Sequence, residues 1–288
     1  MENECTYVNS RGILKSCTLY QKPIHSSNPI LQSGFLDGVK EGDRVYVCTT
    51  AIPTFASTVL PKLTVPIVLV TGDADESIPA VDPQACAKIA DSPFILKWFA
   101  QNCLYFHSKL VKLPIGMDFH TLNDRPSFWG PKEIPCKQEN DIQSIAVKGK
   151  PFWERIPTCY TTFNIEMNRG DRVDAYLTLP LELVYYEPAP VPRLESHKRQ
   201  STYAFVISPH GYGFDCHRTW EALVLGCIPI IKSNAMDSLF DGLPVLIVKE
   251  WSEVTQELLD STVKAFKDRT FVYEKLRLKY WIDLIYSR

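Results

Sequence analysis

The 288-residue chain has no C-x-x-C pair, and its nine cysteines stand singly. An odd, dispersed set indicates neither a disulfide framework nor a zinc site, so reduced thiols in a reducing compartment are expected. An excess of charge of one sign is also missing. Lys plus Arg total 31 against 33 Asp plus Glu, a formal net charge of -2, and the one basic cluster is the short HKR run at 197–199. No nucleic-acid partner is expected from that balance. No run approaches the ~18 apolar residues that a membrane span requires. The opening MENECTYVNSRG carries Glu2 and Glu4 and lacks an apolar signal core. The expectation is a soluble, cytoplasmic protein with no membrane span. Internal repeats and low-complexity tracts are absent too, which argues against a solenoid or propeller.

What remains is long enough for two modest domains with a substantial core. Residues 1–42 are polar and turn-rich, interrupted by Pro23, Pro29, Gly34, Gly38 and Gly42, and suggest no chemistry. RVYVCT at 44–49 reads as a strand, PTFASTVLPKL as a helix entered at Pro53, and PIVLVT at 66–71 as a strand buried on both faces. The second strand runs into GDADESIPAVDP, which puts Asp73, Asp75 and Glu76 just past its carboxyl end, where open α/β sheets place ligands. These acids are candidates for a general base on a hydroxyl, or for a D-x-D pair on a divalent cation. A hydrophilic loop capping the helix at Asp82-Pro83 is the plainer alternative. Trp98, in an aromatic-rich segment, is a candidate sugar-stacking ring, with a core position the alternative. His107 and His120 lack metal-ligand spacing and read as structural histidines.

The polar stretch 122–150, broken by Pro126, Pro131, Pro135 and Gly149, reads as a connection between domains. TCYTTF at 158–163 has strand character, and Arg155, Arg169 and Arg172 lie near the NIEMNRGDR loop, any of them able to meet a diphosphate or simply to pair on the surface. Asp171–Leu179 is helical in pattern, and EPAPVPR at 187–193 is a stiff joint. Beyond the central unit described next, 243–248 reads as a strand, 251–266 as a helix and 271–286 as a long amphipathic helix.

The stretch from Thr202 to Ile231, TYAFVISPHGYGFDCHRTWEALVLGCIPII, organises the rest. Tyr203–Ile207 reads as a buried strand, Asp215 as the cap of a helix with Trp220 and Leu223 inward, Gly226 as its C-terminal stop, and Ile228–Ile231 as a second strand. Such a crossover unit builds a parallel sheet. His217, Arg218 and Glu221 share an arc near the helix N-terminus, where backbone N–H groups favour anions. Arg218 is placed to pair a phosphate and Glu221 to take a ribose diol; a solvated helix face is the alternative.

From Thr202 through Leu246 these words resemble the donor-side signature of the exostosin-like glycosyltransferases: a Ser-Pro-Gly loop, an Arg-x-x-Glu helix and a Gly-Cys-Ile-Pro strand. The 94–120 segment resembles the acceptor side of bacterial and viral members at Trp98, Gln101, Asn102, Pro114, Ile115 and Gly116. Short, soluble, virus-encoded members are the nearer likeness. The resemblance implies an α/β protein of two Rossmann-like domains facing across a cleft, the GT-B architecture. An acceptor domain would span 1–148, a nucleotide-sugar domain 149–270, and a terminal helix, 271–288, would cross back. It further implies an inverting transferase that moves a sugar from a UDP-sugar, xylose being a guess, to a glycan hydroxyl. Asp75 is the preferred base, with Asp73 in reserve. The expected donor contacts are Ser208, His210, Gly211, Gly213, Asp215, His217, Arg218, Glu221 and Arg155, and the expected acceptor contacts are Trp98, Asn102 and Glu76. No cofactor or metal is expected. The alternatives are a metal-dependent GT-A enzyme using Asp73 and Asp75, or a non-catalytic nucleotide-sugar or glycan-binding protein.

Overall fold

The computed structural model describes residues 1–127, 129–163 and 170–287. Two parallel sheets organise the chain. The first contains β1 (Arg44–Cys48), β2 (Ile67–Gly72), β3 (Ile95–Gln101) and β4 (Leu110–Leu113), in that spatial order. The second contains β5 (Ile156–Thr161), β6 (Val184–Tyr186), β7 (Tyr203–Ile207), β8 (Ile228–Lys232) and β9 (Leu246–Val248), in the order β6-β5-β7-β8-β9. The α-helices among the described residues are α1 (Ser10–Lys15), α2 (Ile52–Thr54), α3 (Pro83–Asp91), α4 (His120–Asp124), α5 (Pro135–Lys148), α6 (Arg172–Thr178), α7 (Arg193–Gln200), α8 (His217–Val224), α9 (Gln256–Lys267) and α10 (Leu278–Tyr286). The α/β class expected from the sequence is what forms. No helix among the described residues is long and apolar enough to cross a membrane.

Alternation along the strands explains the layering. Val45, Val47 and Leu69 face one side of the first sheet with Trp98, whereas Tyr46, Val68 and Val70 face the other with Phe99. Both faces are therefore covered, as parallel strands require. The cluster holding Val70, Phe99 and Leu113 also holds Val206, Trp220, Leu223 and Trp281, so one apolar core is shared between the two halves. Phe205, Ile207, Ile228 and Ile230 belong to a third cluster on the far face of the second sheet.

Several elements differ from the sequence reading. The stretch taken as a connection contains the 14-residue α5, with Pro135 in its first turn and Gln138, Glu139 and Ile142 buried. Its prolines punctuate the ends and not the middle, since proline is tolerated at the first helical position. β3 went unread as a strand because Lys97 interrupts its apolar run. The helix entered near Pro53 passes from α2 into a π-turn at Phe55–Val59 and a tight turn at Leu60–Lys62. The expected helix at 251–266 is a tight turn, Trp251–Glu253, followed by α9, and that at 271–286 is a turn, Tyr273–Leu276, followed by α10. Asp82 caps α3 as expected, its carboxylate accepting from Ala85 N at 3.0 Å.

The terminal segments lock together over the first sheet's end. Val8 N donates to Leu276 O (2.9 Å), Leu278 N to Thr6 O (2.9 Å), and Met117 N to Val8 O (2.7 Å). The Arg44 guanidinium donates to Tyr286 O (3.2 Å), and the Tyr286 hydroxyl to Ser16 O (2.8 Å). Gly116 sits at this junction with φ +67, and a Cβ there would lie 2.2 Å from Val8 O. Gly116→Ala should therefore lower the unfolding free energy by more than about 2 kcal/mol, from left-handed strain and a backbone collision. Urea denaturation measures this, and a loss below ~0.5 kcal/mol would contradict the packing.

Candidate functional site

The carboxyl ends of β2, β3, β4 and β7 meet between the two sheets. Gln101, at the end of β3, braces the first-sheet loops: its Oε1 accepts from Asp73 N (3.0 Å) and Ser10 Oγ (3.1 Å), and its Nε2 donates to Pro114 O (2.8 Å). Asp73 and Asn102 both adopt positive φ, +57 and +47. Such strain in residues other than glycine persists only where surrounding contacts fix it.

Asp215 is the centre of these contacts. Its carboxylate accepts from Ile115 N at 2.7 Å and from Trp220 Nε1 at 2.8 and 3.0 Å, and its own N–H donates to Asn102 Oδ1 at 3.0 Å. The expected helix cap is thus corrected. Cys216 occupies the N-cap of α8, and the Asp215 side chain turns toward the first sheet instead. Burial raises its pKa to about 6, against the lowering effect of the Ile115 and Trp220 hydrogen bonds. Gly226 ends α8 at φ +74, as its sequence position indicated.

The polar residues of α8 have different partners. His217 Nδ1 lies 2.7 Å from Gly116 O. Glu221 pairs with Arg193 and lies 3.5 Å from His197 Nε2, so the carboxylate expected to take a diol already has two cationic-type neighbours. Burial opposes ionisation of Glu221, but Arg193 and His197 outweigh it and hold it well below the usual range. Arg193 also approaches Asp118 Oδ2 at 3.5 Å, and it outweighs burial there too, holding Asp118 low.

Farther round the same polar arc, Arg218 donates to Pro209 O (3.2 Å) and Ser208 Oγ (3.5 Å) and lies 5.8 Å over the Phe163 ring. Among the described residues it has no carboxylate within 4.0 Å. Burial lowers its pKa, and the Arg172 charge adds to that. Gly211 is pressed against Arg172, whose Nη2 would be 2.9 Å from an added Cβ. His210 stacks on Phe214 (4.7 Å), with Nδ1 2.9 Å from Gly211 O and Nε2 3.8 Å from Asp171. Ser208, His210, Gly211, Arg172 and Arg218 are thereby gathered at one place, whereas Arg169 lies outside the described residues.

Other expected contacts sit elsewhere. Arg155 donates to Leu225 O (2.9 Å) and Lys150 O (2.6 Å), which places it at the C-terminal end of α8, roughly 12 Å along the helix from the anion-favouring end. Trp98 is 0% exposed, with Nε1 bonded to Thr71 Oγ1 at 2.9 Å, so it has no open ring face for a sugar. Asn102 is fully buried in the Asp215 tie, and Gly213 packs against it, an added Cβ meeting Asn102 Nδ2 at 2.9 Å. Asp75 and Glu76 are exposed on the loop. Asp73 is buried, accepts from Ser26 Oγ at 2.9 Å and lies 4.0 Å from Arg11 Nε. Burial raises its pKa, against the lowering effect of His120 and Arg11.

Sequence reasoning missed Arg11, buried and bidentate on Asp124 (2.9 and 2.8 Å), because residues 1–42 carry no periodic signal. It also missed the convergence of Asp118, His120 and His217, whose ligand-capable atoms all lie within 4.8 Å of one another. Asp118 and His120 are close in sequence, but His217 comes from the other half. A cavity of about 280 Å³ opens beside this group, lined by Trp129, Phe119, Met117, Arg193, His197 and Glu221 among others. A smaller pocket of about 30 Å³ includes Asp73, Tyr46 and His25. Neither protein-family models nor curated sequences yield a match to this chain.

Because the folded-state pKa of Asp215 exceeds the ~3.9 of an unfolded aspartate, its protonation stabilises the native state below pH ~4, and that contribution is lost as pH rises through about 6. The unfolding free energy of the wild type relative to Asp215→Asn should therefore fall by roughly 2–3 kcal/mol between pH 4 and pH 7. Urea titrations across that range measure the difference, and a flat profile would refute a buried, elevated carboxyl.

Proposed function

We propose that the protein is an inverting glycosyltransferase of the exostosin-like kind, in which the two halves act as GT-B lobes and a UDP-sugar is the donor. The observation that carries the reading is Arg218: a half-buried guanidinium beside Arg172 in the first turn of α8, hydrogen-bonded only to neutral oxygens among the described residues. Taking a cation even partly out of water without a counter-ion is unfavourable, and an anion beside it would offset that loss. A nucleoside diphosphate is such an anion, and a helix start beside two arginines suits the charge left as the glycosidic bond to phosphate breaks.

In this scheme the acceptor hydroxyl attacks the anomeric carbon, the diphosphate leaves toward Arg218, and the hydroxyl proton passes to a carboxylate of the first half. Asp73 supports that role better than Asp75. It is buried and lines a pocket, and its elevated pKa favours proton uptake, whereas Asp75 is exposed on the same loop. The Arg11 pair also makes Asp73 a poor half of a D-x-D metal site, because a guanidinium 4.0 Å away competes for its charge. The metal-dependent GT-A reading is accordingly less well supported. A non-catalytic binding protein would share the anion site but show no turnover.

Calorimetry with UDP tests the anion site: Arg218→Ala should weaken binding roughly 10- to 100-fold, the value of a charged hydrogen-bonded contact. Asp73→Asn should leave UDP affinity within about twofold while lowering sugar transfer by roughly 100-fold or more. Unchanged UDP affinity in Arg218→Ala would remove the carrying observation. Full transfer in Asp73→Asn with loss in Asp75→Asn would move the base to the loop rim. UDP binding without transfer to any glycan hydroxyl would favour the binding protein.

A further inference from the structure

We propose that Asp118, His120 and His217 form a binding site for a divalent transition cation of the zinc class, clipping the two halves of the chain together. The inference is separate from the transferase reading and holds for either an enzyme or a binding protein.

The donor set is the first reason. Two imidazoles and one carboxylate suit zinc-type ions and leave a coordination position open for water or a ligand. Geometry is the second. His120 Nδ1 and Asp118 Oδ1 are 3.2 Å apart, close to the ~3.4 Å edge of a tetrahedron whose ligands sit about 2.1 Å from the ion. Among the described residues the hydrogen bond to Asp118 Oδ1 comes from Thr121 N (3.0 Å), which leaves the imidazole contact free to become a shared coordination edge. All three ligand atoms fall within 4.8 Å, and the two imidazole rings are tilted with centroids 5.6 Å apart.

Outer contacts fix the ligands. Gly116 O, 2.7 Å from His217 Nδ1, can only accept, so Nδ1 carries the proton and Nε2 presents its lone pair. Backbone carbonyls do this at metal histidines, where the outer partner sets both tautomer and ring direction. Arg193 contacts Asp118 through Oδ2 at 3.5 Å and leaves the Oδ1 side to the ion. Charge favours a cation as well. Asp73, Asp118 and Glu221 outnumber Arg11 and Arg193 around the group, Asp73, Asp118 and Arg11 being buried, and Asp124 adds a further carboxylate at the rim.

Because His217 belongs to the second half and the other two ligands to the first, an ion held by all three stabilises only the assembled native state. The test uses the full chain, freed of metal with a chelator and titrated with Zn²⁺ by calorimetry, and with Co²⁺ by visible absorption. One equivalent should bind with a rise in melting temperature, and Co²⁺ should show the intense bands of a low-symmetry site. His120→Ala and His217→Asn, the latter retaining a donor for Gly116 O, should each weaken Zn²⁺ at least tenfold. His107→Ala, whose ring pairs with Asp91 at 3.6 Å outside this group, should behave as wild type. Binding well below one equivalent, or unchanged affinity in folded His120→Ala and His217→Asn, overturns the site. Should either variant fail to fold, a wild-type Co²⁺ spectrum identical to that of the hexaaquo ion overturns it equally.

Discussion

The carboxylate of Asp215 is the constraint to which the rest of the structure answers. It lies 2% exposed between the ends of two parallel sheets, where a charge is costly unless every lone pair is used. Ile115 N and the Trp220 indole supply the donors, one from each half, and Asn102 takes the Asp215 N–H. Removing any one partner would leave a buried polar group unsatisfied, which costs more than the hydrogen bond contributes. The geometry propagates outward. Asn102 must be left-handed to reach Asp215, and Gly213 must lack a side chain because Asn102 occupies that space. Gly213, expected as a donor contact, is therefore a glycine to let the halves approach.

Once Asp215 holds the start of α8 against the first half, the faces of that helix are assigned. Trp220 and Leu223 enter the apolar core shared by the two sheets. His217 and Glu221 face the first half and α7, where Gly116, Arg193 and His197 meet them. Arg218 is left toward the loop after β7, among Ser208, Pro209 and Phe163. One polar arc of the helix thus carries a paired carboxylate and, beside it, a cation lacking a carboxylate partner among the described residues. Its periodicity turns Arg218 about 100° from His217 but only about 60° from Glu221, so the different partners come from the neighbouring segments.

The parts of this arrangement that were legible in sequence are those set by local pattern. β1, β2, β7 and β8 follow from apolar, β-branched runs, α3 from Asp82-Pro83, and the end of α8 from Gly226. Residues whose roles depend on contacts across the chain were not legible. Asp215 fits the helix-cap pattern, and only the position of Ile115, one hundred residues earlier in sequence, shows that its carboxylate is used otherwise. Trp98 resembles a sugar platform until β2 brings Thr71 to its indole. Arg11 sits in a stretch with no periodicity, yet it is buried against Asp124 because α1 lies over the first sheet's carboxyl end. Arg155 has the right charge but sits at the wrong helix end, a distinction that spacing does not encode.

If the proposed donor is a nucleotide, the pairing of Glu221 bears directly on how it would fit beside α8. A ribose diol offers two hydroxyl donors, and a carboxylate has lone pairs enough for these and Arg193 together. Arg193 need not leave, because its guanidinium has five N–H donors and is held by Asp118 and Gln138 as well as Glu221. Breaking a buried pair outright would cost about 3–5 kcal/mol, so sharing is the economical arrangement. His197, 3.5 Å from the same carboxylate and without a hydrogen-bond partner at Nε2 among the described residues, is the neighbour that can give way. The cavity beside it is lined by Trp129 and Phe119, flat apolar surfaces of the sort a planar base requires. On this geometry the nucleoside and the diphosphate would lie side by side along one polar arc of α8, with Arg193 fixing one and Arg218 the other.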